Sequence, residues 1–209
     1  MKVLELFCGS GSIRKAANIV GGGSIQVFSS DIEQFGYTDY MVDILKFDYK
    51  KIPFEPDVIW SSPPCTGFSV AAIGRNWNKD KTPKTETAKL GLKLVQKTID
   101  IIDYFAPKYY FIENPRGMLR KLDIMDNENL PDAVRHTVTY CQYGEDRMKP
   151  TDIWTNNKNW KPKRICSNGD ICHESAPRGS RTGTQGQDNA FERSKLPEEL
   201  CVEILKSCI

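Results

Sequence analysis

The sequence predicts an α/β fold built on a mostly parallel, doubly wound sheet, and three observations carry that prediction. Short apolar runs alternate with amphipathic stretches over residues 1–115. A glycine-rich turn follows the first apolar run. Acidic or sulfur-bearing side chains stand where several of the runs end, and open α/β sheets bind ligands at that edge.

The predicted elements come in the order that such a sheet requires. Apolar runs predict the strands at residues 3–7, 25–28, 58–60 and 109–112. A third element is expected to end near Asp43, and two later strands are expected at residues 134–140 and 152–155. Apolar periodicity predicts helices at residues 13–20, 85–105 and 198–206. In the second helix the apolar positions are Leu90, Leu94, Ile101, Ile102 and Phe105.

The composition indicates one domain of a globular protein. With 209 residues, 39% of them apolar, the chain can bury one good core. We predict that residues 1–155 and 193–209 form this domain. Residues 156–192 are rich in Asn, Lys, Gly, Ser and Thr and are predicted to be a small basic insert without a core of its own.

Membrane and export signals are not expected, and a cytoplasmic location is predicted, in a bacterial or a host-cell cytosol. Apolar stretches stay far below the ~20 residues that a membrane span needs, and residues 1–6 do not resemble a secretory signal. Seven scattered cysteines favour metal binding or catalysis over disulfides.

Charge is distributed unevenly along the chain. Residues 75–97 contain seven Lys or Arg against two acids, and residues 146–181 contain eight against four. The net charge is only +2, so the rest of the chain is acidic. Two basic tracts on an acidic body suggest a polyanionic partner, although each tract alone could be an ordinary solvated surface.

Cys65 is the first residue with predicted chemistry. The apolar run at residues 57–60 leads to Pro63 and Pro64, which end the strand because proline donates no backbone hydrogen bond. The Cys65 thiol is therefore expected at the carboxyl end of a core strand, where it is either reactive or buried and inert.

Glu113 is the second such residue. It leaves the apolar run at residues 109–112, and Asn114 and Pro115 end the strand there. A carboxylate leaving an apolar strand tends to have a raised pKa, which suits proton donation near neutral pH.

The glycine turn at residues 8–12 predicts a site for a nucleoside-bearing ligand. Its spacing differs from a dinucleotide fingerprint and it lacks a P-loop lysine. Asp31, at the end of the second strand, is placed to hold ribose hydroxyls, and Asp43 could accept from an adenine amino group.

Three motifs together resemble those of the cytosine-C5 DNA methyltransferase family: the turn at residues 7–12, Pro63-Pro64-Cys65 and Glu113-Asn114-Pro115. The similarity covers residues 1 to about 155 and resumes at the last helix. It implies a Rossmann-like, S-adenosylmethionine-dependent methyltransferase fold, in a compact form similar to phage enzymes. Pro-Pro-Cys distinguishes the chain from amino-methylating enzymes, whose comparable segment ends in Pro-Pro-Tyr.

The resemblance also implies roles for individual residues. S-adenosylmethionine would contact Phe7, Cys8, Gly9, Gly11, Ser12, Asp31, Asp43, Ile44 and Pro63. Cys65 would attack C6 of a cytosine flipped out of DNA, and Glu113 would hold or protonate its N3 and amino edge. Residues 69–82, with Gly74, Arg75 and Trp77, would form a mobile loop over that base.

The chain departs from the family pattern in two places. Where the family places an arginine on the base carbonyl, this chain offers Arg147 and Lys149 after Tyr143-Gly144. Only about 35 residues replace the large target-recognition region. Duplex or single-stranded DNA is the expected partner, with no membrane, and the oligomeric state is open. RNA methylation and a non-catalytic DNA-binding accessory subunit remain alternatives.

The insert, together with Cys141 upstream of it, offers a second candidate site. Cys141, Cys166, Cys172 and His173 would satisfy a tetrahedral zinc, although they could equally be free thiols and a surface histidine. The basic loop at residues 178–186 could contact phosphates or base edges. Cys201 and Cys208 are predicted to be packing residues.

Overall fold

The computed structural model describes residues 1–174 and 190–209. In these ranges seven strands form one sheet in the order β3-β2-β1-β4-β5-β7-β6. Their bounds are β1 Lys2–Leu6, β2 Gln26–Asp31, β3 Tyr40–Met41, β4 Val58–Ser61, β5 Tyr109–Pro115, β6 Val134–Thr139 and β7 Pro150–Thr155. Strands β1 to β5 pair in parallel, whereas β7 is antiparallel to both β5 and β6. The predicted α/β, mostly parallel sheet is confirmed.

Helices cover both faces of this sheet. Their bounds are α1 Ser12–Gly21, α2 Ile73–Asn76, α3 Glu86–Phe105, α4 Ala190–Ser194 and α5 Glu198–Lys206. None of the helices in the described ranges has the length and apolar character needed to cross a membrane.

The strand sequences place apolar residues on both faces, because side chains alternate along a strand. Leu4 and Ile59 belong to a core on the α3 side, and Val3 and Trp60 belong to a core with α1 and α5. Helix α5 buries Leu200, Cys201, Ile204 and Leu205, and Cys208 is buried beside them. The two cysteines at the carboxyl end are packing residues, as predicted.

Helix α3 has the predicted extent, and the predicted apolar positions lie against the core except at Leu90, near the amino-terminal end. The hydroxyl of Thr85 accepts a hydrogen bond from the Ala88 amide and caps the helix. Leu90, predicted to face the core, is 48% exposed. The small residues Ala88 and Gly91 are buried instead, and a Cβ on Gly91 would stand 3.0 Å from the ring of Phe68. Close packing against the segment after Cys65 therefore brings Ala88 and Gly91, instead of Leu90, to the core at this end of α3.

The third strand is shorter than predicted. Strand β3 ends at Met41, and residues 44–46 form a 3-10 turn. Asp43 caps that turn by accepting a hydrogen bond from the Leu45 amide at 3.0 Å, so Asp43 begins a turn instead of ending a strand.

Candidate active site at the carboxyl ends of strands β4 and β5

Cys65 lies directly beyond strand β4, where two prolines stop the strand. Its carbonyl accepts hydrogen bonds from the amides of Phe68 (2.9 Å) and Ser69 (3.0 Å), which fold the chain into a 3-10 turn. The ring of Phe68 is fully buried and fixes the turn against α3. Cys65 as a residue is half-buried, so the turn holds it in a fixed position at this edge of the sheet.

Asn114 connects the two sequence motifs that carry the chemistry. Strand β5 pairs with β4 so that Ile112 lies opposite Ser61, and both strands deliver their next residues to the same edge. The Asn114 amide donates a hydrogen bond of 2.8 Å to the carbonyl of Pro63. The segment that contains Cys65 is therefore held to the strand that contains Glu113.

Glu113 is enclosed by protein, with 5% of its surface exposed. The hydroxyl of Tyr140 donates a hydrogen bond of 3.2 Å to its carboxyl group, and Ser62 makes a second side-chain hydrogen bond. Burial raises the pKa of Glu113, more than the Lys149 charge and these hydrogen bonds lower it. Glu113 therefore tends to hold a proton at higher pH than an exposed glutamate does.

The thiol and the acid influence each other electrostatically. Burial raises the pKa of the Cys65 thiol, and the negative charge of an ionised Glu113 raises it further. The positive charges of Lys149 and Arg193 lower it. A proton on Glu113 removes one of the two causes that oppose thiolate formation at Cys65.

Lys149 contributes the buried positive charge near this pair. Its ammonium lies 4.5 Å from the ring centroid of Tyr140 and donates a 2.8 Å hydrogen bond to the carbonyl of Arg193. Burial lowers the pKa of Lys149, while the charge of Glu113 raises it. Its backbone has φ of +29°, a left-handed conformation that a lysine rarely adopts.

Arg147, the other residue considered for the base carbonyl, is occupied by contacts within the protein. Its guanidinium forms an ion pair with Glu145, and only 4% of the Arg147 surface is exposed. It also donates hydrogen bonds to the carbonyls of Arg193 (3.1 Å) and Lys195 (2.9 Å). These contacts join the segment before β7 to the segment before α5.

The glycine turn between β1 and α1 bends in the way that its residues allow. Gly9 and Gly11 have φ of +44° and +66°, and Phe7 has φ of +57°. A Cβ on Gly11 would stand 2.5 Å from the ring of Tyr37, whereas nothing lies within 4 Å of a Cβ on Gly9. The backbone of Gly9 therefore faces open space, and only glycine tolerates both positions without strain.

The remaining residues predicted around this turn have distinct places. The Asp31 carboxylate accepts a hydrogen bond from the Gly9 amide at 3.0 Å, which ties the end of β2 to the turn. Ile44 and Pro63 are buried. Cys8 is buried, its Sγ lies 3.4 Å from the Thr38 hydroxyl, and burial raises its pKa to about 11. The Cys8 thiol is thus poorly suited to react as a thiolate.

The segment before α5 closes over the same turn. The amide of Leu196 donates a hydrogen bond of 3.4 Å to the Ser12 hydroxyl. A pocket between the two segments is lined by Ser10, Ser12, Lys15, Lys195, Leu196 and Glu198. The carboxyl-terminal segment thus lies against the glycine turn.

Sequence reasoning missed Glu5, a buried residue of β1 that joins the start of α1 to strand β2 next to the glycine turn. Its carboxyl group accepts from the Ile13 amide (3.1 Å) and from the Ser29 hydroxyl (2.8 Å). Burial raises the pKa of Glu5 to about 7. One acid inside the apolar strand β1 was the available signal. Tyr140 was also missed, since a tyrosine at the end of a strand gives no such signal.

The loop expected to close over the base is partly fixed in the core. Trp77 is buried, stacks on Phe68 with ring centroids 5.8 Å apart, and donates a 2.7 Å hydrogen bond to the Gly67 carbonyl. The expectation that Trp77 covers the base is therefore wrong, because Phe68 and Gly67 hold its indole inside. Gly74 and Arg75 are exposed. The predicted basic loop at residues 178–186 lies outside the described residues.

Comparison with known proteins identifies the family. A family model for the C-5 cytosine-specific DNA methylase matches residues 1–129. The chain belongs to that family. It is also 32% identical over 227 aligned positions to the "Probable DNA (cytosine-5)-methyltransferase" of Frog virus 3 (isolate Goorha), with both chains covered completely. The resemblance and enzyme class predicted from the three motifs are confirmed at the level of the family.

Solved structures bear out the fold of this C-5 cytosine-specific DNA methylase family member. The Entamoeba histolytica methyltransferase EhMeth matches 74% of the chain with a TM-score of 0.55 and 15% identity. The S. pombe Dnmt2 methyltransferase matches 78% with a TM-score of 0.51 and 17% identity. The chain spans about half the length of these structures, 52% and 53% respectively.

The glycine turn fits the S-adenosylmethionine that the family implies. Gly9 presents bare backbone to open space, and its amide is fixed by the carboxylate of Asp31 at the end of the neighbouring strand. Such a concave backbone beside an acid suits a nucleoside with ribose hydroxyls.

Proposed function

We propose that this protein transfers a methyl group from S-adenosylmethionine to C5 of cytosine in DNA. The observation that carries the proposal is the pairing of a half-buried cysteine with a buried acid at the ends of adjacent parallel strands. Cys65 and Glu113 form that pair, and the glycine turn follows β1 on the other side of β4.

The cofactor is held by residues at the carboxyl edge of the sheet. S-adenosylmethionine, when bound, supplies an electrophilic methyl group. The backbone of the turn would face the donor, Asp31 would hold its ribose, and Asp43 with Ile44 would frame its adenine. The residues that would contact it are Phe7, Cys8, Gly9, Gly11, Ser12, Asp31, Asp43, Ile44 and Pro63.

Cys65 acts as the nucleophile. Its thiolate forms a bond to C6 of the cytosine while Glu113 gives a proton to N3, so the ring gains electron density at C5. C5 then accepts the methyl group. The C5 proton leaves to water, N3 returns its proton to Glu113, and the Cys65–C6 bond breaks to restore the aromatic ring.

The neighbouring side chains support those two roles. Glu113 is suited to donate a proton because burial raises its pKa. Lys149 stabilises the thiolate of Cys65 and the carboxylate that Glu113 becomes after it gives up the proton. Arg147 positions the segment that carries Lys149 through its contacts to the carbonyls of Arg193 and Lys195.

The target base leaves the duplex to reach Cys65, because C6 is inaccessible inside stacked base pairs. Exposed positive charges follow Cys65 along the chain, and they suit the phosphates beside a flipped base. They are Arg75, Lys79, Lys81 and Lys84. Residues 1–155 and 193–209 form the catalytic domain, and residues 156–192 take the place of a target-recognition region, so the recognised sequence is short or loosely defined, or another chain supplies the specificity.

A methyl-transfer assay tests the proposal. Purified protein receives labelled S-adenosylmethionine with duplex DNA, single-stranded DNA or tRNA, beside a Cys65→Ser variant and a Cys208→Ser control. We expect label in DNA at C5 of cytosine from the wild type and the control only. Label in tRNA alone would identify an RNA methyltransferase. No label, from folded protein that binds cofactor and DNA, would identify an accessory subunit.

A further inference from the structure

Three thiols and one imidazole converge on a point outside the active site. The ligand atoms of Cys141, Cys166, Cys172 and His173 all lie within 4.8 Å of one another. The Sγ of Cys141 is 3.1 Å from that of Cys166 and 3.5 Å from that of Cys172. The Nδ1 of His173 is 3.7 Å from the Sγ of Cys166 and 3.6 Å from that of Cys172.

Three of these four separations, 3.5–3.7 Å, lie close to the edges of a tetrahedral metal site, and the Cys141–Cys166 separation of 3.1 Å is shorter. Zinc bonds of about 2.3 Å to sulfur and about 2.0–2.1 Å to nitrogen place the ligand atoms roughly 3.5–3.8 Å apart. Three cysteines and one histidine form a closed ligand set that is typical of structural zinc. We propose that Cys141, Cys166, Cys172 and His173 bind one zinc ion.

The segment that supplies three of these ligands is held by polar contacts, such as the hydrogen bond from the Lys163 amide to the Tyr143 hydroxyl, and has no regular secondary structure. Residues 161–174 contain no helix or strand, and the side chains of Ile165 and Ile171 are exposed. A segment without an apolar core gains its ordering free energy from the metal. Each cysteine releases its proton to solvent when it becomes a thiolate ligand.

Hydrogen bonds around the cluster orient the ligands. The amide of Gln142 donates to the Sγ of Cys172 at 3.3 Å, as an outer partner of a thiolate ligand does. The backbone amide of Cys166 donates to the Thr139 hydroxyl at 3.1 Å. Two of the ligand residues, Cys166 and Cys172, are thus hydrogen-bonded to residues at or just after the end of strand β6.

The ion would also act on the active site through a short path. Cys141 follows Tyr140, whose hydroxyl donates to Glu113. Fixing Cys141 to residues 166–173 fixes the turn that presents Tyr140. This consequence rests on the proposed function, whereas zinc binding itself does not, so metal content and methyl transfer are measured separately.

Metal analysis of the full chain tests the site. Protein made in zinc-supplemented cells and purified under reducing conditions is expected to contain one zinc per chain. X-ray absorption is expected to show three sulfur ligands at about 2.3 Å and one nitrogen at about 2.0–2.1 Å. Metal-free protein that also fails to take up added zinc or cobalt would overturn the proposal.

Variants identify the ligands. Cys172→Ser and His173→Ala are expected to lose the zinc, His173→Cys to keep it in an all-thiolate site, and the distant Cys208→Ser to keep it as a matched control. Zinc retained by both Cys172→Ser and His173→Ala would contradict the assignment. If those variants do not fold, cobalt is added to the metal-depleted wild type. Its absorption spectrum shows whether the site is tetrahedral and thiolate-bound, because that coordination gives intense visible bands that another geometry lacks.

Discussion

The parallel half of the sheet (residues 1–115) and the antiparallel half (residues 134–174) contribute differently to the active site. The parallel half carries the groups that would react, Cys65 and Glu113, and positions them by strand pairing and by the hydrogen bond from the Asn114 side chain to the Pro63 carbonyl. The antiparallel half carries Tyr140 and Lys149, whose hydrogen bond and charge act on Glu113. One half would supply bond making, and the other sets the protonation states that bond making requires.

This difference predicts a gradient of effects. Removing a reacting group removes a step, whereas removing a neighbour changes the pKa of the group that takes the step. Substitutions in the parallel half should therefore cost orders of magnitude in rate, and those in the antiparallel half should cost less and shift pH profiles.

Glu113→Gln gives the largest expected effect among the tuning experiments. The amide keeps the shape of the acid but transfers no proton, so kcat should fall by about 10²–10⁴-fold. In the wild type, activity should decline as rising pH removes the proton that burial retains on Glu113. That alkaline decline should be absent in the variant. Steady-state rates across pH test this, and a variant with wild-type rates would remove Glu113 from the chemistry.

Lys149→Met should have an intermediate effect, about 10–100-fold in kcat/KM, as expected for loss of a buried charge-assisted contact. Without the ammonium the pKa of the Cys65 thiol rises, so less thiolate is present at a given pH. The rate of Cys65 alkylation against pH measures this directly. Lys158→Met, on an exposed side chain, is the control. An unchanged alkylation profile would show that Lys149 does not act on the thiol.

Tyr140→Phe should cost only about 2–10-fold in kcat/KM, since one hydrogen bond contributes about 0.5–1.5 kcal/mol. The Tyr140 hydroxyl lowers the pKa of Glu113, so its loss should raise that pKa. The alkaline decline in activity should move to higher pH, while the ring that packs under Lys149 remains. A move to lower pH would contradict the account of how the antiparallel half acts.

Glu5→Gln should leave the reacting groups untouched and change the pH dependence of stability. The pKa of Glu5 rises from 4.5 to about 7 on folding, so folding is favoured below pH 4.5 and loses that contribution as pH rises to 7. The loss is about 3 kcal/mol of unfolding free energy at 1.36 kcal/mol per pKa unit. Denaturant unfolding across pH should show a flatter curve for the variant. Parallel curves would show that Glu5 titrates normally.

The two halves also differ in what their sequence predicts. The sheet, the glycine turn and the strand-end positions of Cys65 and Glu113 follow from local apolar patterns and turn residues, which lie close together in the chain. Contacts made across the fold did not follow. Leu90 faces solvent because Phe68 packs against Gly91, and Trp77 is buried because it stacks on Phe68.

In the antiparallel half the decisive contacts are long-range. Arg147 donates hydrogen bonds to carbonyls almost fifty residues away, which no local pattern indicates. Tyr140, which follows β6, reaches Glu113 because β7 pairs with both β5 and β6. The Cys–His cluster is the exception, since the ligand types were visible in the sequence and the structure brings all four together.

Covalent trapping on DNA that contains 5-fluorocytosine tests the central proposal most directly, the pairing of the Cys65 nucleophile with the Glu113 acid. Fluorine at C5 cannot leave as a proton does, so the step that expels Cys65 stops and the protein stays attached. With S-adenosylmethionine, wild type and Cys208→Ser should yield a denaturation-resistant complex joined through the peptide containing Cys65, and Glu113→Gln should yield it far more slowly. An adduct on another residue, or none from protein that methylates ordinary DNA, would contradict the account.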